Sequence, residues 1–414
     1  MRPVLQRHRR LHRALSRRGH AGRVDCGPGE RIRLLGLLRR DGVRGGLQDG
    51  LRRPARRRRG LFGAHAGLRG RGQRVRAARG SGAVLRAALT ATGRYFPTRV
   101  VPNSYFYDDL GLETNEEWIR SRTGVITRHF ADAAAGETTS GMCVRAAQQC
   151  LERAGIDADQ LDGVIVATIT PDQALPSTAC FVQEALGAKG AWAFDLVAAC
   201  SGYVYALAQA TSMVRTGLAK RVMVIGAETM TSILDFEDRN TCIIFGDGAG
   251  ATLVEAKETG GLEIVDFRMH SAGSGADLLM IPAGGATHPA SAETIDARMH
   301  YVKQDGRAVF KHAVTRISQV IVELLEGHGM TASDVDLVVP HQANIRIIEA
   351  CGRRLKIPMD QIAVTVHQWA NTTAATIPTT LDWALEEGRI NPGDNVVLAT
   401  FGAGFTWGSA LLKA

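Results

Sequence analysis

Cys200 sits where the apolar run Phe194-Asp195-Leu196-Val197 gives way to small residues, Ala198-Ala199-Cys200-Ser201-Gly202, and then to an apolar stretch through Leu207. That pattern predicts a buried strand, a tight turn and a helix, with the thiol at the joint. A thiol there meets backbone N–H groups that lack intrahelical acceptors, at the positive end of a helix dipole. Both effects favour thiolate, the nucleophilic form of cysteine. A small core-filling cysteine is the other reading of the same residue. Two further residues bear on the choice: His341 follows the apolar run Val335–Val339, and Asn371 ends the turn Gln368-Trp369-Ala370-Asn371 before another helical stretch.

The elements that must position these three residues repeat. In the first set, Leu161–Thr168 reads as a buried strand and Ser177–Leu186 as a helix, followed by the Cys200 turn and helix and the strand Arg221–Ile225. In the second, Val335–Val339 is the strand and Asn344–Leu355 the helix. Strand Ile362–Val366, the Asn371 turn, a helix through Leu385 and strand Asn395–Thr400 complete it. Asp162 to Cys200 spans 38 positions and Asp336 to Asn371 spans 35, so superposing the sets places Asn371 where Cys200 sits. Ligands of open α/β sheets gather at the carboxyl ends of strands, where all three side chains would converge. Upstream, Leu85–Thr92 is a first strand and Gly136–Ala154 a helix. Thr114–Arg122 is a helix start, with Thr114 as N-cap and Glu117 completing a capping box. The chain is α/β, in two related halves at 86–257 and 258–414, preceded by an extension at 1–85.

Composition bounds the function. Of 414 residues, 45% are hydrophobic and 22% charged, and no apolar run approaches the length of a membrane span. The seven cysteines (26, 143, 150, 180, 200, 242 and 351) form no CxxC pair and no metal-ligand spacing. This argues for a reducing cytoplasm and against disulfides or a zinc site. The net charge of +9 comes from one end: residues 1–86 hold 25 Arg, no Lys and four acids, leaving −12 on the remainder. An Arg- and Gly-rich extension of this kind cannot fold alone. A nucleic-acid arm and an organelle transit peptide are two readings of it. The favoured reading is a disordered or mis-assigned extension with the true start near Val84, since Arg without Lys is what GC-rich codons give in a wrong frame.

The three motifs Asp195–Gly202, Val339-Pro340-His341-Gln342-Ala343-Asn344 and Asn371-Thr372-Thr373-Ala374-Ala375 resemble the active-site motifs of β-ketoacyl-acyl carrier protein synthase III. Ile244–Gly250 and the ending Phe401–Gly408 resemble that family too, and the similarity covers roughly residues 87–414. The resemblance implies a duplicated thiolase-like fold, layered α/β/α/β/α, and a homodimer. It implies that Cys200 takes an acyl group from coenzyme A and that malonyl-acyl carrier protein then loses CO2 and attacks the acyl-enzyme. This condensation initiates fatty acid synthesis, with no cofactor and no metal. His341 and Asn371 would stabilise the enolate, and the N–H groups of Cys200 and Ala403 would form an oxyanion hole. An asparagine at 371 points to the initiating class, since chain-elongating relatives carry histidine there. The absence of any cysteine after Cys351 argues against a thiolase.

By the same resemblance, Trp118, Arg122, Arg239 and Asn344 would hold coenzyme A; helix core for Trp118 and a surface ion pair for Arg239 are the alternatives. Gln342, Ala343, Asn344, Ile345 and Arg346, with Arg353 and Arg354, would dock the acidic carrier protein. Leu175 would gate the acyl pocket of the partner subunit, and Asp247 would be structural. A ketosynthase of polyketide or other specialised metabolism is the nearest competing expectation. No nucleic-acid or membrane partner is expected.

Overall fold

The computed structural model describes residues 85–414, so the extension up to residue 84, with the expected start near Val84, lies outside the described residues. Strands are β1 Ala87–Tyr95, β2 Arg99–Pro102, β3 Thr127–Phe130, β4 Gly163–Ala167, β5 Trp192–Leu196, β6 Arg221–Glu228 and β7 Gly248–Ala256. They continue as β8 Leu262–Ser271, β9 Leu279–Met280, β10 Lys303–Gln304, β11 Leu337–Pro340, β12 Asn395–Gly402 and β13 Thr406–Lys413. Nine of them form one mixed sheet in the order β11-β12-β13-β8-β1-β7-β6-β4-β5.

The duplication is written in this order. In the first half β5, β4 and β6 are parallel, and β7 and β1 extend them antiparallel. In the second, β11 and β12 are parallel, with β13 and β8 antiparallel beyond. The halves join where Ala88 and Leu89 of β1 pair with Glu263 and Leu262 of β8. Asp162 and Asp336 occupy equivalent places: each accepts through Oδ2 from the backbone at the start of the neighbouring strand, Arg221 N at 3.0 Å and Asn395 N at 2.7 Å.

Helices Gly202–Arg215 and Thr376–Glu386 are buried on nearly every side, which is why their sequences lack a polar face. They share a core with strand residues of both halves, including Val224, Val254, Val339 and Leu398. Helices Thr139–Ala154 and Thr178–Leu186 cover the outside of the first half. Helices Gly306–Glu326 and Ile345–Leu355 cover the outside of the second. The result is the five-layer α/β/α/β/α arrangement.

Three local expectations are corrected. The strand expected at Ile362–Val366 shrinks to a single bridge, Val338 to Ile362. There the buried Gln342 amide replaces the ladder: Nε2 donates to Pro340 O and Ala363 O, while Oε1 accepts from Thr365 N and Val366 N. The helix expected from Thr114 is capped instead by Asn115, whose side chain accepts from Trp118 N at 2.8 Å. Thr114 Oγ1 is buried without a partner among the described residues. Finally, the turns Ala199–Ser201 and Thr373–Ala375 are the true counterparts, each directly preceding a buried helix and each opening on a positive φ, 47° at Ala199 and 55° at Thr373. Ala374, 38 positions after Asp336, therefore takes the place of Cys200. Asn371 stands three residues before it.

Candidate active site

Cys200 is positioned by the β12–β13 hairpin. Thr400 Oγ1 donates to Cys200 O at 2.9 Å, Thr406 Oγ1 donates to Ala198 O at 3.1 Å, and Ser201 Oγ donates to Thr406 O at 3.1 Å. Gly402 packs directly against the turn, and no side chain fits at that approach. Burial pushes the Cys200 thiol up to about 12. The resting sulfur is therefore protonated, and desolvation outweighs the helix-start effect that the sequence suggests.

His341 follows β11, with its backbone N–H donated to Ala399 O at 2.8 Å. Its Nδ1 lies 2.6 Å from Thr376 Oγ1 at the start of the buried helix. Burial lowers its pKa to about 3, so the imidazole is neutral at ordinary pH. Asn371 is pinned by the neighbouring loop, its N–H donating to Ile244 O at 3.1 Å and its O accepting from Gly246 N at 3.2 Å. Asn371 Oδ1 accepts from Thr373 N at 2.9 Å, which fixes the amide with Nδ2 as the free donor.

Cys200, His341 and Asn371 line one cleft of about 610 Å3. Trp118, Arg122 and Asn344 line it as well. Arg239 does not reach the lining, but its guanidinium lies 5.1 Å from the Trp118 ring, and that of Arg122 lies 4.3 Å from it. Arg239 also donates to Glu113 O. Asn344 caps helix Ile345–Leu355 by accepting from Arg346 N, and donates to Arg122 O at 2.8 Å.

A second cavity, about 450 Å3, also has Cys200 in its lining. Its wall is almost wholly apolar, with Ile169, Met230, Phe245, Leu279, Ile281 and Val302, and Ala403 lies on it. The Ala403 N–H has no backbone acceptor among the described residues. Leu175 lines neither cavity and is 84% exposed. Sequence reading missed this apolar chamber because its residues come from eight separate segments. It also missed Thr376 and Thr400, whose only signal was proximity to the motif residues; Thr373 and Gly402 lie inside the motifs, but their contacts with Asn371 and Cys200 were not legible there.

The proposed docking run is divided by the fold. Gln342 is buried with its amide bonds made inside the protein, so it offers no surface to a partner and is removed from that run. Ala343, Asn344 and Arg346 line the cleft, and Ile345 packs against Gly124. Arg353 and Arg354 are exposed in the last turn of the same helix. Asp247 is buried and accepts from Ala131 N, Thr231 N and Thr231 Oγ1, a structural set of contacts. Among the described residues no helix is long and apolar enough to cross a membrane, and no three His, Cys, Asp or Glu side chains form a metal-binding group.

Comparison with known proteins agrees on one family. Residues 194–273 match the family model for 3-oxoacyl-[acyl-carrier-protein] synthase III, and residues 325–414 match the model for its C-terminal part. The beta-ketoacyl-[acyl-carrier-protein] synthase III of Chlorobium luteolum is 47% identical over 330 residues, covering 80% of this chain and 99% of the relative. The crystal structure of 3-oxoacyl-[acyl-carrier-protein] synthase III from Aquifex aeolicus is 40% identical with a TM-score of 0.72, covering 79% of this chain and 100% of that one. The priming β-ketosynthase of the R1128 polyketide pathway is 32% identical with a TM-score of 0.72, covering 80% of this chain and 97% of that one.

Proposed function

This chain belongs to the β-ketoacyl-[acyl-carrier-protein] synthase III family, and on that premise we propose how its two cavities divide the work of the condensation. It is a condensing acyltransferase, 3-oxoacyl-acyl carrier protein synthase III, acting at the start of fatty acid synthesis. The observation that carries the site assignment is that Cys200 borders both the polar cleft shared with His341 and Asn371 and the apolar chamber.

In the first half-reaction Cys200 Sγ attacks the carbonyl carbon of an acyl-coenzyme A, and its proton passes by way of His341 to the departing thiolate. The N–H groups of Cys200 and Ala403 hold the oxyanion, and the acyl chain enters the apolar chamber. Trp118 and Arg239 clasp the adenine, Arg239 first swinging away from the ring, while Arg122 and Asn344 meet the rest of coenzyme A. In the second half-reaction malonyl-acyl carrier protein enters the cleft and loses CO2. Asn371 Nδ2 and His341 Nε2 hydrogen-bond the enolate oxygen, the enolate carbon attacks the acyl carbonyl, and Cys200 leaves as the thiolate and is reprotonated. These steps balance with the substrates and one proton from solvent, so the reaction as written uses no cofactor.

The carrier protein is acidic, and Ala343, Asn344, Ile345 and Arg346, with Arg353 and Arg354, form the surface we assign to it. Leu175 at 84% and Val197 at 75% exposure are apolar side chains that a second copy of the chain would cover, with Leu175 then closing the acyl chamber of the other copy. Scattered free cysteines support a cytoplasmic setting. The 32% identity to a polyketide priming enzyme keeps one second reading alive, a specialised pathway with the same chemistry.

The test is a panel of acyl-coenzyme A donors, scored by intact-protein mass for wild type and Cys200→Ala, followed by malonyl-acyl carrier protein and measurement of CO2. An acyl adduct in wild type only, discharged on adding the malonyl carrier, is the expected result. An undiminished adduct on Cys200→Ala overturns the assignment.

A further inference from the structure

The Thr376 hydroxyl touches two acceptor-capable atoms at once: His341 Nδ1 at 2.6 Å and Thr373 O at 3.0 Å. A hydroxyl carries one hydrogen and can donate it once. Both contacts are hydrogen bonds together only when Oγ1–H donates to Thr373 O and Nδ1–H donates to Oγ1. In the opposite arrangement the hydroxyl donates to a bare Nδ1, and Thr373 O loses it while keeping the backbone N–H of Thr376. That arrangement has one hydrogen bond fewer, at a place where Thr373, Thr376 and His341 are all buried.

We propose that Thr376 is a positioning residue that holds the neutral His341 ring with its proton on Nδ1, leaving the Nε2 lone pair in the cleft. The proposal rests on the reading of His341 as the residue that exchanges protons with Cys200. It assigns that residue a fixed starting state, since a neutral imidazole with Nδ1–H can only accept at Nε2. In the first half-reaction the new sulfur–carbon bond forms as the Cys200 proton moves to Nε2. The bond from carbon to coenzyme A sulfur breaks, and the Nε2 proton goes to that leaving thiolate. The condensation then consumes one proton, and Nε2 takes it from solvent when the malonyl carboxylate arrives, because an adjacent anion favours the imidazolium. The same Nε2–H donates to the enolate oxygen and is finally delivered to Cys200 Sγ as the sulfur–acyl bond breaks. Throughout, Nδ1–H stays on Thr376, so the ring never has to turn.

Two measurements test this. In wild-type protein with 15N-labelled histidine, the resting His341 signals should show a protonated, pyrrole-type Nδ1 and a pyridine-type Nε2; the reverse assignment overturns the proposal. Thr376→Val keeps the shape of the side chain and removes the hydroxyl. It should slow acyl-adduct formation from acetyl-coenzyme A by about tenfold or more, while the acetyl-coenzyme A KM stays within about twofold and Thr376→Ser restores most of the rate. A Thr376→Val protein with wild-type rates in both half-reactions overturns it. If Cys200→Ala still forms the adduct, the underlying site assignment has failed instead, so the two failures are distinguishable.

Discussion

Gly402 lies so close to Cys200 that a methyl group on its Cα would stand 2.8 Å from the Cys200 amide nitrogen and 3.1 Å from that of Ser201. Neither neighbour is a flexible side-chain tip, so an added carbon must displace the turn itself. Gly402→Ala should therefore move the Cys200 N–H off the acyl oxygen, and the same methyl, 3.2 Å from Cys200 Cβ, presses on the carbon that carries the sulfur. Loss of one such donor costs about 10²-fold or more in rate. Stopped-flow or quenched mass measurement of acyl-adduct formation checks this, and a variant within twofold of wild type would remove the Cys200 N–H from the oxyanion hole.

The Asn371 side-chain amide is oriented by one bond, Oδ1 accepting from Thr373 N at 2.9 Å. Asn371→Asp preserves that acceptor but turns the free donor into an anionic oxygen facing the enolate. Acyl-adduct formation, which does not use Nδ2, should change little. Release of CO2 from malonyl-acyl carrier protein should fall about 10²- to 10³-fold, the range for loss of one donor to a developing oxyanion, with charge repulsion adding to it. Equal losses in the two half-reactions would show that residue 371 acts on something other than the enolate.

The residues legible in the sequence were those with a local cause. Cys200, His341 and Asn371 each end an apolar run at a turn, and the repeat of those runs placed them on one rim. What the sequence could not carry was set by distant partners. The repeat was aligned three residues out because Asn371 looked like the counterpart of Cys200, whereas the positive φ at Thr373 marks Ala374 instead. The strand at Ile362–Val366 was lost to a side chain twenty residues away, Gln342, whose amide takes the ladder's place. Gln342 reaches the docking run only through the family resemblance, and nothing local says that its four bonds close inside. The apolar chamber needed the tertiary fold, since Met230, Phe245, Ile281 and Val302 are far apart in the chain.

Trp118 is held between nucleotide chemistry and simple packing, with Arg122 and Arg239 at 4.3 Å and 5.1 Å from its ring. If the ring stacks on adenine, Trp118→Ala should raise the KM for acetyl-coenzyme A by about tenfold, in line with loss of one stacking contact of ~1–3 kcal/mol. The rate with a truncated acetyl thioester that lacks the nucleotide should be unchanged. Parallel losses with both donors would make Trp118 a packing residue of the surrounding apolar cluster.

The buried pair also sets a pH signature in stability. His341 is lowered to about 3 by burial, against 6.5 for the ordinary side chain. Between those values the unfolded chain binds a proton at this residue and the folded chain does not, so its contribution to stability is present above 6.5 and is lost as pH falls through the window. Cys200 is raised to about 12 from 9, so the folded chain keeps a proton that the unfolded chain releases, and stability is lost as pH rises from 9. Glu228, raised to about 8, and Asp247, raised to about 6, favour the folded chain at lower pH, so the whole-protein curve mixes opposite slopes. Comparing variants isolates each residue. His341→Gln should flatten the acid limb by up to about one proton, or ~1.4 kcal/mol per pH unit, while leaving the alkaline limb alone. Cys200→Ser should do the reverse. Urea midpoints for the three proteins at about pH 5, 7 and 9.5, at constant ionic strength, read this directly. Acid limbs that run parallel for wild type and His341→Gln would mean that His341 is protonated in the folded protein, and the neutral imidazole on which the proton transfers depend would have to be abandoned.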